Sequence, residues 1–129
     1  DKAIELNPNH SMAYNNRGVA YMDGLKQYER AIKDYDKAIE LNPNYAKAYN
    51  NRGLAYRKLN QYERAIQDYN KAIELNTNYA DAYNNRGWAY YCMKKYQQAL
   101  KDFEKALEIN PNHKLAKNNR EACLKAMGK

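Results

Sequence analysis

Apolar and aromatic residues return along this chain in steps of three and four, the spacing that places side chains on one face of a helix. Over 46–58, Ala48, Tyr49, Arg52, Gly53 and Tyr56 share such a face and predict a first helix. Over 61–75, Tyr62, Ala65, Ile66, Tyr69, Ala72 and Ile73 form a second stripe and predict a second helix. Asn60, with Glu63 three residues later, has the spacing of an N-terminal capping box. Asn-Pro-Asn at 42–44 and 110–112 ends the preceding helix, because proline pushes the residue before it out of the helical region. Asn-Thr-Asn replaces it at 76–78.

The two-helix pattern repeats. AYNNRG occurs at Ala13–Gly18, Ala48–Gly53 and Ala82–Gly87; KAIELN occurs at Lys2–Asn7, Lys37–Asn42 and Lys71–Asn76, with KALEIN at Lys105–Asn110. The offset is 34 residues except for one step of 35, whose extra residue lies near Asp23-Gly24. Gly24 there predicts a left-handed helix stop. A fixed period of this length marks a repeat array. The expected units are 11–45, 46–79 and 80–113, with 1–10 as the tail of an earlier unit and 114–129 as a capping helix. The fold class is all-α.

Composition alone points the other way. Leu, Ile, Val and Phe make up only 18 of 129 residues and the net charge is +7, a balance typical of disorder. The 14 Tyr reverse that reading, since all but Tyr91 fall in five repeat slots and so belong to an inter-helix core. No apolar run approaches the ~20 residues that a membrane span needs, and no leader is visible. With two cysteines and no CxxC, the default expectation is cytoplasm. Nothing in the sequence resembles a cofactor motif, a metal cluster or a nucleophile–base pair, so no enzyme is expected. The basic charge concentrates in 46–79 (+3) and 114–129 (+4), but most lysines alternate with acids, which speaks against a nucleic-acid stripe.

These residues resemble the tetratricopeptide (TPR) repeat family. Its pattern is met by Tyr49, Gly53, Tyr56, Ala65 and Tyr69 in the middle unit. The flanking units carry Tyr14, Gly18, Tyr21, Ala31, Tyr35 and Pro43, and Tyr83, Gly87, Tyr90, Ala99, Phe103 and Pro111. Two departures stand out: Tyr replaces the usual Trp, and Arg17, Arg52, Arg86 and Arg120 fill the slot of the usual Leu. The resemblance implies a right-handed superhelical solenoid of antiparallel helix pairs, with the first helix of each pair lining a concave groove. It also implies a non-catalytic scaffold that binds an extended peptide or a partner helix.

Arginine in an apolar slot needs a partner, because an unpaired buried charge is costly. Asp34, Asp68 and Asp102 are the regular candidates. Each lies 18 residues before the next unit's Arg52, Arg86 or Arg120, and 16 or 17 after its own unit's Arg. The constant spacing favours pairs between units over pairs within them.

On the opposite face recur Asn16, Asn51, Asn85 and Asn119, flanked by Asn15, Asn50, Asn84 and Asn118. A carboxamide offers a donor and an acceptor, which suits reading a peptide backbone. The column is similar to that of the O-GlcNAc transferase TPR domain; solvation or helix capping is the competing role. Against the carboxylate clamp of co-chaperone TPR domains, only Asn51 fits. The basic slots hold Asn15, Asp81 and Asn85, and the second Asn slot holds Val19.

Other groove positions vary over the constant frame, where specificity in repeats resides. They are Met12, Val19, Met22 and Asp23, then Lys47, Leu54, Arg57 and Lys58, then Asp81, Trp88, Tyr91 and Cys92. Trp88 with Tyr91 suggests an aromatic anchor or a groove floor, and the basic trio suggests a protein or peptide partner carrying acidic residues. An architectural or engineered module that associates end to end, with no peptide ligand, is the alternative reading.

Overall fold

The computed structural model describes residues 10–24 and 26–128, so the expected tail of an earlier unit lies, apart from His10, outside the described residues. Seven helices and no strand occur among them. They are α1 Ser11–Asp23, α2 Tyr28–Leu41, α3 Ala46–Lys58, α4 Tyr62–Leu75, α5 Ala80–Cys92, α6 Tyr96–Ile109 and α7 Lys114–Ala126. Connections of three or four residues force antiparallel neighbours. The helices form the pairs α1/α2, α3/α4 and α5/α6, each packed on the next, with α7 seated on α6. The first helices α1, α3, α5 and α7 also touch one another in series, whereas α2, α4 and α6 do not. The solenoid therefore curves with the first helices inside.

Alanine and aromatic side chains build the core. Ala31, Ala38, Ala48, Ala55, Ala65, Ala72, Ala82, Ala89, Ala99 and Ala106 are all fully buried, as are Tyr69 and Phe103. Small residues let the helices approach, and one ring per unit fills the space between them. Each ring lies against the glycine of its own unit. A Cβ on Gly18, Gly53 or Gly87 would stand 2.6–2.7 Å from the ring of Tyr35, Tyr69 or Phe103. Only the absence of a side chain admits that contact. The scarcity of Leu, Ile and Val is thus a consequence of close Ala/Gly–aromatic packing.

The turns follow a chemistry that differs in two places from the expected one. In the turns between units, the Asn44, Asn78 and Asn112 N–H groups donate to the side chains of Asn42, Asn76 and Asn110 at 3.1–3.2 Å. These Asx turns are carried by asparagine, so Thr77 can replace proline without loss of the turn. In the turns within units, Lys26, Asn60 and Lys94 take the left-handed conformation, at φ 52°, 63° and 63°. Gly24 does not; its φ of −83° and ψ of −44° continue the helix, with its N–H donating to Ala20. The inserted residue therefore lengthens the loop, and Lys26 makes the left-handed turn. The Asn60–Glu63 capping box does not form either. A left-handed Asn60 cannot be an N-cap; that position falls to Gln61, which makes no side-chain cap, while the Asn60 side chain accepts from the Tyr62 hydroxyl at 3.0 Å.

The arginine pairing also differs. Arg17 grips Asp34, Arg52 grips Asp68 and Arg86 grips Asp102, each through two nitrogens at 2.7–2.9 Å. These pairs lie within units, not between them. The neighbour of the expected residue makes the bridge between units: Arg52 donates to Asp36 and Arg86 to Asn70, both at 2.9 Å, and Arg120 faces Glu104 at 3.6 Å. The spacing of 18 was regular only because every slot is regular, so spacing alone could not choose between slots two residues apart. Arg17, Arg52 and Arg86 further lie over the rings of Tyr14, Tyr49 and Tyr83, at 5.4–5.6 Å. The Asp68 and Asp102 carboxyls sit above their ordinary range because burial outweighs the pull of the arginines. The Asp68 hydrogen bond raises Arg52 in turn.

Candidate functional site

The concave face is formed by α1, α3, α5 and α7, and it sorts the asparagines into two kinds. Asn15, Asn50 and Asn84 are buried, only 2–6% exposed. Their side-chain oxygens accept from Asn51, Asn85 and Asn119 of the following unit at 3.0 Å. The expected pairing of both asparagines with a ligand is corrected here: the first asparagine of each pair is consumed inside the protein. These bonds stitch first helix to first helix at every step. Asn118 has no described unit beyond it and is exposed, as is Asn16 at the other end. Asn51, Asn85 and Asn119 spend a donor on the stitch and keep their carbonyl oxygens, half-buried on the groove floor.

The variable positions line a pocket of about 260 Å³ that crosses three helices. Arg57 comes from α3, Asn84, Asn85 and Trp88 from α5, and Leu115 and Asn119 from α7. The pocket runs diagonally because Arg57 lies near the end of its helix, Trp88 mid-helix and Leu115 at a helix start. Leu115 was not singled out in the sequence, where 114–129 reads as a cap. Its signal is its repeat slot, shared with Met12, Lys47 and Asp81, and among the described residues it is one of two large hydrophobics left exposed, at 62%, beside Met12 at 57%.

Trp88 and Tyr91 stack with centroids 4.9 Å apart, and Tyr91 meets Tyr96 edge-on at 5.5 Å. Tyr91 thus props the indole against the core and does not line the pocket. Leu54 packs, partly buried, on the core of the first unit. Met22 leaves the groove altogether; it is buried and its sulfur accepts from the Tyr35 hydroxyl at 3.2 Å. Lys47 and Lys58 are exposed at opposite ends of α3. Asp81 is held by the His113 ring at 2.7 Å, while the other ring nitrogen of His113 accepts from the Ala116 N–H and caps α7.

Arg57 stands apart. In the corresponding slots, Met22 pairs with Tyr35 and Tyr91 stacks on Trp88. Arg57 has no ion pair among the described residues. Its Nε is buried without a hydrogen-bond partner, and so is the hydroxyl of Tyr69. The two are neighbours: burial raises the Tyr69 hydroxyl above the ordinary phenol range, and the Arg57 guanidinium opposes that shift. The guanidinium thus gives the pocket a positive charge with no ion-pair partner among the described residues.

Among the described residues no group of His, Cys, Asp or Glu is placed to hold a metal ion, and no helix is long and apolar enough to cross a membrane.

Comparisons with known proteins converge. Models described as tetratricopeptide or TPR repeats match residues 1–33, 25–60, 53–94 and 80–113. The first TPR of Spaghetti (RPAP3), bound to the HSP90 peptide SRMEEVD, is 31% identical over 92% of this chain and 94% of that one, with a TM-score of 0.87. The Arabidopsis OM64 TPR domain is 34% identical over 89% and 94%, with a TM-score of 0.86. The second TPR domain of human RPAP3, in complex with the HSP70 peptide SGPTIEEVD, is 32% identical over 88% and 93%, with a TM-score of 0.82. No curated protein sequence matches.

Proposed function

The chain belongs to the tetratricopeptide repeat family of protein-interaction modules, and we propose that its concave groove binds an extended peptide segment of a partner protein. The observation that carries this reading is the half-buried, unpaired Arg57 in a pocket floored by Trp88 and the Asn85 and Asn119 carboxamides. The carboxamides meet the backbone, and Arg57, with Lys47 and Lys58 on the same helix, favours acidic side chains. Two similar domains carry peptides, SRMEEVD and SGPTIEEVD, that are rich in acidic residues. Asn15, Asn50 and Asn84 act as internal stitches rather than readers.

The competing end-to-end association is disfavoured at one end by a single residue. Glu121 occupies the slot of Gly18, Gly53 and Gly87. A second helix seated on α7 as α6 sits on α5 would drive its ring into the Glu121 side chain, where Gly87 admits Phe103.

The test is a selection from a randomised peptide library, in parallel on the wild type and on Asn85→Ala/Asn119→Ala of confirmed helicity. A motif enriched by the wild type and lost by the variant is the expected result. Enrichment by neither protein, with mass by light scattering that grows with concentration, would sink the peptide reading in favour of self-association.

A further inference from the structure

Resting on that peptide reading, we infer that the groove recognises an internal acidic–apolar segment, with an Asp or Glu side chain on Arg57 and an apolar side chain on Trp88 and Leu115, and not the carboxyl terminus of a chain. Three observations lead there.

The first is the number and place of the cations. A chain terminus carries its charge on the backbone itself, and holding it calls for convergent donors at the groove floor. Here the floor of the pocket is neutral: Asn84, Asn85 and Asn119 supply only carboxamides. In the slots where clamp-type domains place basic side chains, Asn15 is buried, Asn85 is bonded to Asn50, and Asp81 is a carboxylate held by His113. Arg57 comes instead from α3, at the side of the pocket away from α7, where a side chain branching from a passing backbone reaches it.

The second is the order of surfaces. Crossing from α3 to α7, a ligand meets the guanidinium of Arg57, then the indole of Trp88, then the exposed Leu115. That order offers the carboxylate a place on the α3 side of the pocket and the apolar side chain one on the α5 and α7 side. A volume of about 260 Å³ displaces on the order of nine waters at ~30 Å³ each, room for one large apolar side chain.

The third is continuity. The stitched asparagine floor runs from Asn15 and Asn51 to Asn84 and Asn119, so it extends past the pocket toward α1. A segment that leaves the pocket on that side meets the same carboxamide floor.

Trp88 is the sole tryptophan, and its fluorescence reports the pocket directly. Two peptide libraries are screened, one with a randomised centre and an amidated C-terminus, the other with randomised residues ending in a free carboxylate. Each is screened against the wild type and Arg57→Gln. The expected outcome is enrichment from the amidated library of peptides with Asp or Glu beside an apolar residue. Their binding would shift Trp88 emission and weaken about tenfold or more in Arg57→Gln, as loss of one charge-assisted contact predicts. Enrichment from the free-carboxylate library alone, or binding indifferent to Arg57→Gln, would overturn the inference while leaving the groove reading intact. Enrichment from neither library would overturn both.

Discussion

Arg52 and Arg57 lie five residues apart on α3 and lead opposite lives. Arg52 faces the seam between helices, with two nitrogens on Asp68, a third on Asp36 and the Tyr49 ring below it. Arg57 faces the groove with a buried Nε that meets no acceptor. Both sit in slots of the same repeat, so helix propensity and register do not separate them. Their partners do. A charge that the chain surrounds with counter-charge holds the frame together. A charge that the chain half-buries and leaves without an ion pair is open to a counter-charge from outside the molecule.

Breaking the seam gives the largest effect. Arg86 grips Asp102 as Arg52 grips Asp68, but its contact to the preceding unit is the neutral Asn70 instead of Asp36. Asp102→Ala therefore leaves Arg86 with no carboxylate, and the cost is about 3 kcal/mol, the lower end for a broken buried pair because Arg86 is partly exposed. Asp68→Ala leaves Arg52 with Asp36 and costs about 2 kcal/mol. Replacing both Arg86 and Asp102 by leucine, the residue usual in the arginine slot, restores most of the loss. Urea unfolding followed by circular dichroism ranks the three variants. Equal losses in the two single variants would show that Asp36 adds nothing.

Gly53→Ala attacks the same seam by shape. The new Cβ stands 2.6 Å from the Tyr69 ring, with the Ala65 carbonyl 3.1 Å away. Overpacking costs ~1–3 kcal/mol, against a gain of ~1 kcal/mol in helix propensity. The expected net loss is about 0–2 kcal/mol, read from the same unfolding curves. A stabilised variant would mean that the ring yields and that the glycine is not required by the contact.

Asn70→Asp sharpens the seam in the favourable direction. It gives Arg86 the second carboxylate that Arg52 already has, for a gain of about 0.5 kcal/mol at this exposed site. Raising the salt concentration should erase the gain.

How far the sequence already contained this picture depends on what periodicity can carry. The 3.6-residue stripes place α3 at Ala46–Lys58 and leave α4 one residue shorter at its start, at Tyr62. The repeat period delivers the fold class and the Gly–aromatic contacts, because every copy votes for the same answer. It could not tell the slot of Asp36, Asn70 and Glu104 from that of Asp34, Asp68 and Asp102 as the bridge between units, since both slots return with the same period. It also could not tell Asn50 from Asn51, adjacent residues about 100° apart around the helix, of which one is buried and the other lies on the groove floor. Turn chemistry failed at Gly24 and Asn60 for a related reason. The left-handed residue sits at a fixed place in each turn, and Lys26 and Lys94 adopt it despite side chains that rarely do. Leu115 was hidden by its helix: a basic stretch reads as a cap, although its slot is the one filled by Met12, Lys47 and Asp81.

The smallest expected effect on stability is the most informative about the groove. If Arg57 served the frame, Arg57→Gln would destabilise the fold as Asp102→Ala does. If instead it is a half-buried charge waiting for an external carboxylate, removing it relieves an uncompensated desolvation and costs only some packing of its stem. The expected change in unfolding free energy is within about 0.5 kcal/mol of zero. Gln keeps much of the stem without the charge, which separates the charge from the packing. A loss above ~1 kcal/mol would move Arg57 to the seam side of the comparison and remove the unpaired cation from the case for a ligand. An unchanged midpoint, together with weakened binding of an acidic peptide, would show that one helix carries the frame on one face and the reader on the other.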